Sequence, residues 1–125
     1  MAINQFFEES MHNLGGVIFI HARGTGAGTS DMTAVKGVTS IVRASAGTYT
    51  VTLPRKFSGL LNCVGQVIDV TTPDDWEVNL GTDLTNGNTL TVTTWKGGIA
   101  ADLSTDEKIL LTIILRNSNT KPAGF

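Results

Sequence analysis

From Gly16 onward, apolar side chains recur at every second residue, and this period limits what the chain can fold into. Alternate side chains on a strand point to opposite faces, so a period of two builds sheets and cannot build an amphipathic helix. Residues 48–53 carry the cleanest case. Tyr49, Val51 and Leu53 share one face, and Thr48, Thr50 and Thr52 share the other. Such a segment turns one face to a core and the other to water or a polar partner. Strand patterns of the same kind cover residues 17–23, 39–44, 60–71, 76–80, 89–95 and 108–116, with an interruption expected at Gly65. Turn residues separate them: Ala46-Gly47, Thr72-Pro73-Asp74-Asp75, and Asn86-Gly87, a pair suited to a type I′ hairpin. Residues 24–31, GTGAGTSD, read as a long flexible loop. The pattern predicts an all-β fold, an antiparallel β-sandwich or jelly-roll-like barrel of about seven or eight strands.

The first residues escape this period. Phe6, Phe7, Met11 and Leu14 stand near helical spacing, and Gly15 and Gly16 would end a helix. Residues 1–15 are therefore expected to form a short helix or an extended arm. A helix so short is marginal alone and has to dock on its own domain or a neighbour. The β domain spans residues 16–118, and 119–125 form an irregular tail.

A chain of 125 residues suits one domain. Its charged fraction is 16%, against about 25% in ordinary soluble domains. So little charge suggests that part of the surface is covered by a partner. The formal net charge is −2 and the Lys and Arg residues are scattered, which argues against nucleic acid. No stretch reaches the roughly 20 apolar residues of a membrane helix. The N-terminus lacks the basic and apolar regions of a signal peptide, so a soluble protein made in a cytoplasm is expected. The lone Cys63 has no disulfide partner in the chain and reads as a small buried hydrophobe.

Gly24-Thr25-Gly26 has G-x-G spacing after a strand, but Ala27-Gly28-Thr29 follows and β pattern resumes, so neither a dinucleotide fingerprint nor a P-loop is formed. His12 and His21 share no metal spacing, and no zinc site is expected. Asp69, Asp74, Asp75 and Glu77 surround one turn, where acids ordinarily serve as solvated turn formers. Residues 81–89 loosely resemble a calcium loop but lack its later acidic ligands. No nucleophile stands near a base. The expectation is a protein that is not an enzyme and needs no cofactor or metal. Trp76 and Trp95, on neighbouring strands, offer an alternative: an exposed aromatic platform for stacking sugars. The strand at 108–116 is apolar on both sides. Ile109, Leu111, Ile113 and Leu115 form one face, and Leu110 and Ile114 flank Thr112 on the other. Two apolar faces imply a central strand or a subunit interface.

Ala46 to Leu53, the run Ala101-Asp102-Leu103-Ser104-Thr105-Asp106-Glu107, and the closing Leu115-Arg116-Asn117-Ser118 together resemble small virion proteins of tailed bacteriophages. The type most similar is the capsid decoration, or cement, protein, over roughly residues 40–118. The resemblance lies in the style and order of segments and includes no catalytic motif. It implies a β-sandwich or jelly-roll domain, a homo-oligomer with three copies favoured, and a seat outside a shell of major capsid protein on the virion. Under that resemblance Phe6, Phe7, Met11 and Leu14 would anchor the arm on capsid or neighbour, and Leu110 and Ile114 would line an interface between copies. Phage tail and fibre modules, which bind receptors or carbohydrates, contain similar segments.

Overall fold

A computed structural model describes residues 16–71, 74–81, 84 and 87–116. Among them are nine strands: β1 (Val17–Thr25), β2 (Thr33–Lys36), β3 (Ser40–Ser45), β4 (Thr48–Phe57), β5 (Gly59–Asp69), β6 (Trp76–Leu80), β7 (Gly87–Lys96), β8 (Ile99–Ala100) and β9 (Glu107–Arg116). They form two antiparallel sheets. One has the order β2-β1-β9-β5, and the other β3-β4-β7-β6 with β8 attached to β7. The fold is a β-sandwich, as the period of two predicts. The expected N-terminal helix or arm and the C-terminal tail lie outside the described residues, as do Thr72, Pro73 and Asn86 of the expected turns.

The core follows from the alternation. Tyr49, Val51 and Leu53 of β4 and Leu90 and Val92 of β7 meet Ile109, Leu111, Ile113 and Leu115 of β9, all buried. Burying an aliphatic side chain contributes roughly 1.5–3 kcal/mol, so these positions dominate stability.

Four details differ from expectation. β2 and β8 emerge without a sequence pattern of their own, because each is defined by its partner strand. β4 runs on through Pro54, which is possible because the β4–β7 register shifts between Thr52 and Phe57. The irregularity expected at Gly65 falls instead between Leu60 and Asn62. Gly65 is small for another reason: a Cβ there would lie 2.6 Å from Val78 Cγ1 and 2.8 Å from Leu111 Cδ2, so its absence lets the sheets approach. Finally, residues 24–31 are pinned. The Gly26 amide donates to the Glu107 carbonyl at 2.9 Å, and the Gly28 amide to the Leu103 carbonyl at 2.9 Å.

Segment 101–106 closes one end of the sandwich. Leu103 is fully buried, and its amide donates to the Tyr49 hydroxyl at 2.9 Å. Asp102 takes Arg43 in a two-pronged ion pair, Nε to Oδ1 at 2.8 Å and Nη2 to Oδ2 at 3.0 Å, and accepts the Gly47 amide at 2.8 Å. Buried Thr94 donates its hydroxyl to the Ala101 carbonyl at 2.7 Å, and the Ser104 hydroxyl donates to the Glu107 carboxylate. Segments 46–53 and 101–107 thus meet in this closure.

Candidate functional site

The strongest candidate is the outer face of the β2-β1-β9-β5 sheet. β9 is central there, so side chains turned away from the core line up in rungs with β1 and β5. The registers give Phe19–Ile114–Asn62, His21–Thr112–Val64, Arg23–Leu110–Gln66 and Thr25–Lys108–Ile68. Phe19 is 41% exposed, Val64 59% and Ile68 37%, while Leu110 and Ile114 are half-buried between them. Leu61, at the irregularity in β5, is exposed beside the first rung. A sheet face covered only by water is ordinarily polar, and an apolar stripe across three strands makes this face the candidate for contact with a partner.

Among the described residues its charge has one sign. Arg23 is exposed and Lys108 half-buried on the rungs, and Arg116 lies on the same face at the end of β9. No rung carries a carboxylate. His21 contributes its ring, with Nδ1 3.4 Å from the Thr112 hydroxyl. The surface can therefore bury apolar area and attract carboxylates at the same time.

The outer face of the other sheet is chemically different. Its rows are Ser40–Thr52–Thr89, Val42–Thr50–Thr91 and Thr48–Thr93–Asn79, followed by Glu77–Trp95–Ala100. It is rich in hydroxyls, with Glu77 as the one charge in these rows. Trp95 lies on this outer face. Trp76 stands opposite Lys96 in the register and turns inward onto the core, with the Lys96 ammonium 5.5 Å from its ring centre. The two tryptophans thus sit on opposite faces of one sheet, and strand alternation keeps them from forming the shared platform that their spacing suggested.

Other candidates fall into structural places. Cys63 is half-buried on the core side, and burial pushes its thiol pKa up, away from the reactive thiolate. Asp74 pairs with Lys96 at 3.1 Å on the surface; the Asp75 amide and the Lys96 ammonium hold its carboxyl below the ordinary range. Among the described residues there is no enclosed pocket and no group of three or more His, Cys, Asp or Glu side chains placed to hold a metal. No helix among them is long and apolar enough to cross a membrane.

Of the residues singled out from sequence, Leu110 and Ile114 lie together on the candidate face. Phe6, Phe7, Met11 and Leu14 lie outside the described residues. Phe19, Leu61, Val64 and Ile68 had gone unmarked. Apolar residues on both faces of 17–20 were the signal for Phe19. Val64 and Ile68 were hidden because a break placed at Gly65 splits one face into two, and a one-residue slip reverses every side chain beyond it. Comparison with protein-family models, curated proteins and solved structures found no match.

Proposed function

We propose that the protein is a non-enzymatic structural module that seats the outer face of its β2-β1-β9-β5 sheet on a larger protein assembly. One observation carries this reading: Phe19, Val64, Ile68, Leu110 and Ile114 form an apolar stripe beside the cations Arg23 and Lys108. Burying such a stripe gives affinity, and the cations select a partner that presents carboxylates. The resemblance to decoration proteins supplies the setting: the outside of a phage capsid, which the protein reinforces as a homo-oligomer on the virion.

The test is sedimentation with shells of the major capsid protein of the same virus. Wild-type protein should pellet with the shells. Leu110→Asp/Ile114→Asp should remain in the supernatant while keeping the β circular-dichroism spectrum. Wild-type protein that ignores shells at every stage of maturation would overturn the capsid assignment.

A second reading, a tail or fibre module that binds carbohydrate, is favoured by Trp95 on the hydroxyl-rich opposite face. It rests on Trp95 alone, since Trp76 faces the core. Glycan-array binding that disappears in Trp95→Ala, with folding intact, would favour it over the capsid reading.

A further inference from the structure

Among the described strands, β2, β5, β3 and β6 end the two sheets, and the two-residue β8 is paired only to β7. A free edge offers unpaired backbone groups to any passing strand, and proteins blunt such edges with shortness, charge, proline or irregular geometry. Three edges here are blunted. β2 has four residues, among them Lys36 and Ala34 in a left-handed conformation at φ 50°. β3 has six residues and carries Arg43; β6 has five and carries Glu77. β5 is different. It is eleven residues long, has no proline, and carries no charge before Asp69 at its end. Its one irregularity lies near its start, between Leu60 and Asn62, and its ladder runs to β9 alone among the described strands.

We propose that β5 pairs antiparallel with β5 of a second copy, about a two-fold axis at Val64. The occupant follows from the order of side chains. The exposed residues run Leu61, Asn62, Val64, Gln66, Ile68, which is apolar, amide, apolar, amide, apolar. The central three, Asn62, Val64 and Gln66, read alike in both directions about Val64, as an antiparallel pairing of identical strands requires, with Leu61 and Ile68 flanking them at three and four residues from the axis. A two-fold axis at Val64 sets Asn62 opposite the partner's Gln66, two amides that each offer donor and acceptor. It sets Val64 against the partner's Val64, an apolar cross-strand pair. No like charges face one another at the seam. The β9 strands that carry Lys108 stay about 14 Å apart, three strand spacings of roughly 4.8 Å. The product is one continuous sheet of eight strands, four from each copy, with both docking faces joined. The pairing requires no capsid and stands apart from the docking reading. It also predicts an even number of chains, where the resemblance implies three.

Size-exclusion chromatography with light scattering tests it on the full chain. A dimer, or an even multiple, is expected. Val64→Lys places two lysines across the axis and should raise the dissociation constant several-fold, with the β circular-dichroism spectrum unchanged because the side chain is solvent-exposed in each copy. Cys63→Ser/Val64→Cys should give an intermolecular disulfide on mild oxidation. Cys63→Ser/Val42→Cys, exposed on the other sheet, should not. A strict monomer or a trimer overturns the pairing. So does an even assembly that survives Val64→Lys and gives no Val64→Cys cross-link. A dimer that passes these tests but ignores shells removes the capsid reading alone; a monomer that binds shells removes the pairing alone.

Discussion

Asp102 accepts hydrogen bonds from two nitrogens of the Arg43 guanidinium and from the Gly47 amide, and so ties segment 101–106 to β3 and to the β3–β4 turn. Arg43 first, then the Gly47 amide, holds its carboxyl below the ordinary range, against the upward push of burial. A carboxyl depressed in the folded state adds stability above its unfolded pKa of about 3.9, and that stability is lost as pH falls through the lower folded value. Denaturant midpoints of the wild type should therefore fall below about pH 4 more steeply than those of Asp102→Asn. At neutral pH, Asp102→Ala should cost on the order of 2 kcal/mol, as expected for lost hydrogen bonds to a charged group. Gly47 is equally constrained: its φ is +70°, and a Cβ would lie 2.6 Å from the Ala101 nitrogen. Gly47→Ala should destabilise by more than about 1 kcal/mol in the same assay. None of this was legible beforehand. Ala46-Gly47 announced a turn, but nothing in the sequence said that Asp102, more than fifty residues later, would fasten it.

Strand β9 gives the clearest contrast between neighbouring residues. Ile113 is fully buried, while Ile114 is half-buried on the outer face. Ile113→Ala should lose about 2–5 kcal/mol. Ile114→Ser should cost less than about 1 kcal/mol, its main effect being weaker partner binding. Equal losses in both variants would mean that the alternation of β9 has been misassigned. On β5, Gly65→Ala should cost about 1–3 kcal/mol by overpacking against Val78 and Leu111, read as a lowered melting temperature. At this scale the long strands were legible because each carries several alternations. β2 and β8 were not, since four and two residues are too few to show a period.

At the scale of the whole molecule, the sandwich presents one apolar, cationic face and one hydroxyl-rich face. If Arg23 and Lys108 meet carboxylates on the partner, shell binding should weaken several-fold between low and moderately high salt, as the screening length shortens from about 30 Å toward 3 Å. A salt-independent isotherm would leave the apolar stripe as the sole source of affinity. The period of two by itself determined the β class, the core residues of β4 and β9, and the doubled apolar character that marked Leu110 and Ile114. Only the tertiary structure decided which strands flank β9, and hence that Phe19, Val64 and Ile68 join those two residues in one surface. The same structure sent Trp76 inward and Trp95 outward. The physical reason is that alternation is a local steric property of the backbone. Register and strand order instead arise from hydrogen bonds and packing between residues far apart in the chain, and a single displaced irregularity, at Leu60–Asn62 instead of Gly65, is enough to reassign a face.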